Sequence, residues 1–479
     1  MREVVTVGVG QAGNQIAERF ISQALQEHAD NNANGVYDSA LSSFFQNVST
    51  KRKQPLPVDT QIHQLTARAS LIDTENSVTS NIVNGALGEV IDSSALIATS
   101  GSGSGNNFAQ GMYDHSLTFH QQLVDTIRRP VEQCDSLQGF MMLHSLGGGS
   151  GSGVGSALLH SLRDEFPDAF KLSCCLLPSE NDDVVISPYN ALLSTAHVAD
   201  AADCVLPLEN QALIDLCEEV NKRSSRSAAH PGDASSVTGI RNGTSSRAGR
   251  GGKPFDGMNG IAGRMLLNLT AGARFGGDLN VDLGEAVMNL MPFPRLNFAC
   301  ASMSPLVSLA DVSQQVPTAR TLDHTFQEAF SKSTQLVKEN PRMHTYLASA
   351  LMLRGNVAIS EVSRNISKLR SSVRMASWST ESFKVGLCTK QPHGLPYSLM
   401  ALSNNCCMGN IARRLCDRYS RLRSKNLYMH HYTRFMDADD MDVCKEVVKE
   451  IQSDYDALNC DSNAYPGTPR APPAQMPGR

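Results

Sequence analysis

The sequence predicts an α/β fold in which a parallel sheet covered by helices comes first, a domain of mixed strands and helices follows, and a pair of helices comes last. Short β-branched or apolar runs occur at residues 4–10, 140–146 and 172–177, and apolar residues at helical spacing follow the first two. Strands that alternate with helices are typical of a parallel sheet with both faces covered. Such sheets bind ligands at the carboxyl ends of their strands.

Composition and charge limit the class of protein. Of the 479 residues, 41% are hydrophobic and 19% are charged, which excludes a chain that is disordered throughout. The net charge of -5 gives no reason to expect a nucleic-acid partner. No apolar run approaches the roughly 18 residues of a membrane-spanning helix, so we expect a cytoplasmic protein without a membrane partner. The 12 cysteines lack paired C-x-x-C spacing, which indicates reduced thiols rather than a zinc site.

The first element is a strand that runs into a glycine turn and then a helix. Gly8, Gly10 and Gly13 form a G-x-G-x-x-G pattern. Glycines let the backbone approach a phosphate, and the helix N-terminus directs amides at it. A nicotinamide dinucleotide also needs an acid about 20 residues further on, and Glu27 and Asp30 lie roughly there. They fall on or just after the helix rather than at the end of a second strand, so the turn predicts a phosphate and NAD stays a disfavoured rival.

A second glycine turn strengthens the phosphate interpretation. Residues 147–153 read Gly-Gly-Gly-Ser-Gly-Ser-Gly and lie between an apolar strand and an apolar helix, where a flexible linker is not expected. Several of its amides can line an anion site, with the hydroxyls of Ser145 and Ser150 as further donors. Two such turns at strand ends suit a polyphosphate better than a nicotinamide dinucleotide.

Two further loops add polar groups. Asp73 and Glu75 follow a short apolar run and are suited to hold Mg²⁺ through water beside phosphates, although capping of the next helix is an equal alternative. Residues 100–107 form another amide-rich turn, which ends in two asparagines. We expect four polar loops to converge on one edge of the sheet.

The same patterns divide the chain into five segments. We expect a nucleotide-binding domain over residues 1–220, a disordered basic Ser/Gly-rich insertion over 221–253, and an α+β intermediate domain with a core helix over 254–395. A helical region over 396–458 and a flexible, non-acidic, proline-rich tail over 459–479 complete the chain.

Several motifs resemble those of the tubulin superfamily. The nucleotide-site loops of that family are similar to Gly10-Gln-Ala-Gly-Asn-Gln15, to residues 147–153 and to Ser187-Pro-Tyr-Asn190, and later motifs are similar to residues 289–295, 354–357 and 383–386. The resemblance runs from residue 1 to about residue 458. It implies a Rossmann-like GTPase domain, an intermediate domain and a C-terminal antiparallel helix pair. Residues 178–184, 203–211 and 253–259 depart from alpha and beta chains as one divergent subfamily does.

The resemblance also implies a GTP/GDP site with Mg²⁺. Within it, Gln11, Ser145, Gly149 and Ser150 hold the phosphates, Glu75 helps to place Mg²⁺, Asn210 and Asn259 read the guanine edge, and Phe255 stacks on the base. The full set of implied nucleotide-binding residues is Gly10, Gln11, Ala12, Gln15, Asp73, Glu75, Asn106, Ser145, Gly148, Gly149, Ser150, Gly151, Asp183, Asn210, Phe255 and Asn259.

Two departures from the family pattern bear on affinity. Ser150 stands where threonine is usual and keeps a hydroxyl. Ser187 stands where alpha and beta chains have a ribose-binding glutamate, in a loop that is one residue shorter. We expect Asp183 to replace that sugar contact.

Hydrolysis in tubulins requires a second subunit, whose loop supplies an acid to the γ-phosphate site of its neighbour. Asn280-Val-Asp282-Leu-Gly-Glu285 matches that loop. The resemblance therefore implies that Asp282 and Glu285 act in trans, with Glu285 as the polarising base. A solvated carboxylate at a helix start is an equal alternative on residue type.

The subfamily resemblance implies a role in forming or stabilising doublet and triplet microtubules at centrioles and basal bodies. Its expected partners are other tubulins (delta-, alpha- or beta-like), microtubules and centriole or basal-body proteins. Because the tail is not acidic, we expect it to lack the tail interactions of alpha and beta chains. A nucleotide-free scaffold and an NAD-dependent oxidoreductase are the alternative functions.

Overall fold

The computed structural model describes residues 2–51, 54–98, 103–179, 182, 184–228, 255–277, 279–306, 322–379 and 383–461. The strands are β1 (Glu3–Val9), β2 (Val36–Tyr37), β3 (Phe45–Val48), β4 (Thr60–Gln61), β5 (Gln64–Ala67), β6 (Ala69–Asp73), β7 (Leu96–Ala98), β8 (Leu137–Ser145), β9 (Phe170–Leu177), β10 (Cys204–Glu209), β11 (Cys300–Ser304), β12 (Tyr346–Gly355), β13 (Phe383–Cys388) and β14 (Tyr397–Asn405).

The helices are α1 (Gly10–Asn31), α2 (Ser39–Ser42), α3 (Asn76–Val83), α4 (Ser116–Thr118), α5 (His120–Glu132), α6 (Gly155–Glu165), α7 (Ser187–Ala201), α8 (Asn210–Ala228), α9 (Asp256–Leu269), α10 (Ala271–Arg274), α11 (Leu283–Leu290), α12 (Leu322–Ala329), α13 (Ile359–Arg370), α14 (Met408–Arg423), α15 (Met429–Tyr432) and α16 (Ala438–Asp461). Wider π-helical turns lie at Gln110–His115 and Ser150–Val154, and 3₁₀ turns lie at Ser93–Ala95, Lys332–Thr334 and Pro341–Met343.

The first sheet confirms the predicted parallel α/β domain. Its strands lie in the order β10-β9-β8-β1-β6-β7, and every neighbouring pair is parallel. The chain moves outward in one direction from β1 through β6 and β7, and in the other from β8 through β9 and β10. The topological switch therefore lies between β1 and β8, where a crevice for ligands opens at the carboxyl ends.

Alternation along the central strands supplies a core on each face of this sheet. Val4 packs with Ile16 and Phe20 of α1, whereas Val5 and Val7 pack on the other face, in the same core as α6. All five side chains are buried. Side chains in a strand point alternately to opposite faces, so one valine-rich run fills both cores.

A second sheet forms the intermediate domain. Its order is β11-β14-β12-β13, with antiparallel pairs on both sides of β14 and a parallel pair between β12 and β13. One face packs on α12 and α13, and α9 and α11 pack near β12 and β14. Because α9 also packs along α1, this helix joins the two sheets.

The predicted segment bounds differ from the observed elements in three places. β14 belongs to the second sheet, so the helices begin at Met408 rather than at 396. Residues 221–228 continue α8, because they contain neither glycine nor proline to end the helix, and residues 229–253 of the predicted insertion lie outside the described residues. Residues 459–461 likewise end α16, and the rest of the predicted tail lies outside the described residues.

The two long C-terminal helices pack antiparallel on the first domain. Arg423 of α14 pairs with Asp442 near the start of α16, and Arg413 pairs with Asp456 near its end. Both helices also pack against α7. Across the described part of the chain, no helix is long and apolar enough to cross a membrane.

Candidate functional site

The two glycine turns meet at the switch point. Gly10 follows β1 with a positive φ of 72°, a conformation that glycine adopts without strain. A Cβ added to Gly10 would lie 3.0 Å from the backbone nitrogen of Gly151 and 3.5 Å from Cβ of Ser150. Residues 10–15 and 147–153 therefore face the same crevice, as the sequence predicts.

A third turn closes against the second. A Cβ on Gly149 would lie 2.5 Å from Oγ of Ser104 and 2.6 Å from the backbone nitrogen of Asn107. The backbone of the second glycine turn thus packs directly on the turn that follows β7. Asn106 lies in that turn with its side chain exposed and a φ of 53°.

Hydroxyl groups from three turns form a chain across the crevice. Oγ of Ser150 lies 2.5 Å from Oγ1 of Thr74 and 3.0 Å from Oγ of Ser104. The serine that replaces the usual threonine therefore connects the turns after β6, β7 and β8. This arrangement fixes the position of Ser150, which the sequence predicts as a phosphate donor.

The predicted acids occupy different environments at the end of β6. Asp73 is buried, and burial raises the pKa of its carboxyl to about 6. Glu75 is exposed and is the N-cap residue that precedes α3, but its side chain makes no capping hydrogen bond. Gly103 packs beside the Glu75 carboxylate, so the turn after β7 reaches this acid too. The open position of Glu75 fits a water-mediated Mg²⁺ contact better than a capping role.

A buried histidine at the end of β8 hydrogen-bonds the second glycine turn. Nδ1 of His144 lies 2.8 Å from the carbonyl oxygen of Gly151, and Nε2 lies 2.8 Å from Oγ of Ser173. Because a carbonyl only accepts, Nδ1 carries the proton and Nε2 accepts from the hydroxyl. Burial lowers the pKa of His144 to about 4, so the ring is neutral in this role.

The residues predicted to hold the base, Asn210, Phe255 and Asn259, lie in α8, just before α9 and in α9. Nδ2 of Asn259 donates to Oε1 of Gln15 at 3.3 Å, which brings α9 onto the second turn of α1. Phe255 precedes α9 with 60% of its surface exposed, so its ring is open for stacking. Asn210 begins α8 at the carboxyl end of β10, and α8 packs beside α9.

The remaining predicted site residues divide into three groups. Gln11 is exposed at the start of α1, and Ala12 is half-buried beside it. Ser145 accepts from the backbone N–H of Gly147 at 3.3 Å, and Gly148 is half-buried. Asp183 lies outside the described residues.

The two predicted catalytic acids lie near the amino ends of the strands, whereas the crevice lies at the carboxyl ends. Asp282 pairs with Arg2 at the start of β1 and accepts from the backbone N–H of Glu285 at 2.6 Å, which makes it the N-cap of α11. Glu285 is half-buried and forms an ion pair with Lys384 of β13. Since β1 spans seven residues at about 3.3 Å each, roughly 20 Å separates these acids from the glycine turns. The geometry does not bring them to this chain's own crevice.

Comparison with known proteins assigns the family. A model of the Tubulin/FtsZ family GTPase domain matches residues 3–218, and a model of the tubulin C-terminal domain matches residues 294–417. A tubulin epsilon chain of Mus musculus is 42% identical over 482 aligned positions, an alignment that covers 98% of this chain and 99% of the relative. The chain belongs to the tubulin family.

Other tubulins match over almost the same span. A tubulin epsilon chain of Homo sapiens is 41% identical and covers 97% of each chain, whereas a tubulin beta-2 chain of Suillus bovinus is 31% identical and covers 95% of each. The resemblance to the tubulin superfamily is therefore confirmed, and the divergent subfamily whose pattern the sequence follows is epsilon-tubulin.

Family membership also separates two ligands that the fold alone leaves open. The strand order of the first sheet is one that dinucleotide-binding domains share. The matched model is that of a GTPase domain, so membership of the tubulin family implies a guanine nucleotide.

Four residues that shape the crevice are missing from the sequence-based site. Thr74, Ser104 and His144 contact the second glycine turn or its hydroxyl, and Asn190 donates to the carbonyl oxygens of Asn106 and Gly147. Thr74 and Ser104 could have been predicted, because each is a hydroxyl residue in a turn that follows a strand. Asn190 ends the motif 187–190 that resembles a nucleotide-site loop, although that motif does not show which turns the side chain supports. Nothing in the pattern around His144 distinguishes a support for a turn from an ordinary buried polar group.

Proposed function

We propose that this tubulin-family chain binds GTP and GDP in the crevice between β1 and β8. The observation that carries the proposal is the contact of three turns from separate strands, made by Gly10, Gly149 and Ser104 without intervening side-chain bulk. Such a cradle of backbone amides at helix N-termini suits a chain of phosphates.

The roles of individual residues follow from their positions in this proposal. The amides of Gln11 and Gly149 and the hydroxyl of Ser150 bind phosphate oxygens, and Glu75 is the residue that would hold Mg²⁺. Asn210, Asn259 and Gln15 hydrogen-bond the guanine edge, and the ring of Phe255 stacks on it. Mg²⁺ neutralises phosphate charge when it is bound, and this chain's own part is to orient the nucleotide.

Hydrolysis in this proposal is completed between subunits. Glu285 lies at the edge opposite the crevice, so head-to-tail stacking brings it to the γ-phosphate of a neighbouring subunit. Asp282 fixes the start of α11 and thereby the direction of Glu285. A carboxylate at that place polarises the attacking water as a general base.

An exposed apolar surface beside Glu285 supports such stacking. Met288 lies one turn further along α11 and has 77% of its surface exposed. Phe293 follows the helix and packs edge-to-face with Trp378 at a centroid distance of 6.2 Å, and both rings are about half exposed. Exposed apolar groups at the end opposite the proposed nucleotide site fit a head-to-tail interface between subunits. Such an interface builds a filament when the repeated contact does not close into a ring.

In the cell, we propose a cytoskeletal role at centrioles or basal bodies, where the chain supports doublet or triplet microtubules. The proposed partners are delta-, alpha- or beta-like tubulins, microtubules and centriole or basal-body proteins. The support is the similarity to tubulin epsilon chains over nearly the whole length. Localisation of a tagged copy at native level to centrioles tests this role, and an even distribution along all microtubules would contradict it.

The nucleotide itself can be identified directly. Purified full-length protein, denatured and analysed by chromatography, is expected to release GTP or GDP in a ratio near one per chain. Release of a dinucleotide would instead support an oxidoreductase. Absence of any nucleotide, together with no binding of added GTP, would support a scaffold that keeps the fold without the site.

A further inference from the structure

A buried asparagine joins the proposed phosphate turns to the C-terminal helices. Asn190 lies in the first turn of α7 and is fully buried. Its Nδ2 donates to the carbonyl oxygen of Asn106 at 2.6 Å and to that of Gly147 at 2.8 Å, and its Oδ1 accepts from the backbone N–H of Phe108 at 2.9 Å. Three of the four hydrogen-bonding positions of this amide therefore hold the turns after β7 and β8.

The fourth hydrogen bond of the Asn190 amide comes from the C-terminal helical region. The hydroxyl of Tyr432, in the short helix α15 between α14 and α16, donates to Oδ1 of Asn190 at 2.6 Å. The carbonyl oxygen of Ile186 is a more distant acceptor at 3.4 Å. Burial raises the pKa of Tyr432 well above its ordinary value, so the hydroxyl keeps its proton.

A second contact joins the same two regions. Nδ2 of Asn107 donates to the carbonyl oxygen of His431 at 2.8 Å, and its Oδ1 accepts from the backbone N–H of Ala109 at 2.9 Å. Two consecutive residues of α15 thus bond to the turn after β7, one directly and one through Asn190. A shift of α15 would change both contacts together.

We infer that Tyr432 is a positioning residue for the nucleotide site, which through Asn190 fixes the carbonyls of Asn106 and Gly147 and so sets how tightly the phosphate turns hold GTP or GDP. This inference rests on the proposed function. By linkage, a partner that binds the helix pair and moves α15 changes nucleotide affinity, and the nucleotide changes the affinity for that partner by the same factor.

The competing explanation is that Tyr432 only packs in the core of the helix pair, because its ring contacts Tyr189 at a centroid distance of 5.2 Å. Tyr419 provides a matched control. It is equally buried in the same apolar core, and its hydroxyl donates to Asp442 at 3.2 Å, within the helix pair. Replacing either tyrosine by phenylalanine removes one buried hydroxyl and keeps the ring.

The test is the dissociation rate of N-methylanthraniloyl-GDP from the full-length protein, measured by stopped-flow fluorescence. We expect Tyr432→Phe to accelerate dissociation about five-fold, as loss of one hydrogen bond does. Tyr419→Phe should dissociate at the wild-type rate even if its melting temperature falls as much. Equal rates for the two variants, whether unchanged or both faster, would overturn the inference.

A second comparison assigns the effect to Asn190. In an Asn190→Ala background, Tyr432→Phe should give no further acceleration, because the acceptor is already gone. A full five-fold acceleration in that background would mean that Tyr432 acts by another route. Failure of the folded wild type to bind N-methylanthraniloyl-GDP would refute the proposed function and this inference with it, whereas wild-type binding with equal variant rates refutes the inference by itself.

Discussion

Glycine is required at position 149 for steric reasons. A Cβ there would overlap Oγ of Ser104 and the backbone nitrogen of Asn107, at 2.5 and 2.6 Å. Gly149→Ala should therefore push apart the second glycine turn and the turn after β7. We expect GTP affinity, measured by isothermal titration calorimetry, to fall at least ten-fold, since displacement of the amides removes several phosphate contacts.

Gly276 offers the matched control for that substitution. Nothing lies within 4 Å of a Cβ added there, so Gly276→Ala should bind GTP like the wild type. Wild-type affinity in Gly149→Ala would show that the two turns do not need this close approach.

His144 predicts a pH dependence of stability. Its pKa in the folded protein is about 4, against 6.5 for the free side chain, so the unfolded chain binds more protons between these values. Its contribution to stability is full above pH 6.5 and is lost as the pH falls towards 4. Between pH 7.5 and pH 5.5 the wild type should lose about 1 kcal/mol more than His144→Gln in urea denaturation.

The control for this comparison is His63→Gln, because the His63 side chain is exposed. That variant should lose as much stability on acidification as the wild type. If His144→Gln were just as sensitive to pH, the buried neutral ring would not be the cause.

At the scale of single residues, the sequence predicted the groups whose chemistry is visible in their type and spacing. The glycines of both turns and Ser150 are such groups, because glycine and hydroxyl donors at strand ends have few other uses. The supports were not predictable: His144 and Asn190 act through contacts with carbonyls that are near in space and set by the folded backbone. The residue type of Asp282 fits both a catalytic acid and a helix cap. Only the folded structure shows that its carboxylate caps α11.

Among the helices, α11 carries the proposed action between subunits. Glu285→Gln keeps the shape of the side chain but removes the base, and the site lies at the sheet edge away from this chain's crevice. We expect GTP binding by the variant to be unchanged and turnover in co-assemblies with other tubulins to fall about a hundred-fold. Phosphate release per assembled subunit is the measurement.

Glu361→Gln is the control, because Glu361 also lies in the first turn of a helix, α13, and is exposed. Its turnover should match the wild type. Normal turnover in Glu285→Gln assemblies would rule out the role of Glu285 in trans.

The positions of strands and helices could be predicted from the sequence where apolar residues repeat with a clear period. β1 with α1, and β8 with α6, are placed by valine or methionine runs followed by glycines and helical spacing. The end of the second sheet was missed, because only Cys406 and Cys407 separate β14 from α14 and no glycine or proline between them marks the boundary. The end of α8 was missed because charged and serine residues can extend a helix whose buried face lies earlier.

For the molecule as a whole, the proposed head-to-tail assembly depends on the apolar surface around α11. Met288→Glu would place a charge in that surface, and burying it in an interface is costly. We expect the variant to bind GTP normally and to lose most of its co-sedimentation with microtubules of alpha- and beta-tubulin. Met343→Glu changes a similarly exposed methionine elsewhere and should co-sediment like the wild type. Equal co-sedimentation of both variants would place the interface on another surface.

The three-part architecture was predictable, because alternating strands and helices, a basic low-complexity stretch and paired amphipathic helices are each visible in composition and period. The connection between the parts was not. The bonds from Asn190 to Tyr432 and from Asn107 to His431 join residues more than 200 positions apart, and no local pattern reports them.

A crystal structure of the full-length protein grown with GTP would show whether turns from separate strands hold one guanosine triphosphate. We expect the triphosphate between Gly10 and residues 147–153, within hydrogen-bonding distance of the amides of both turns. A triphosphate bound elsewhere, or held by only one of these turns, would contradict this expectation.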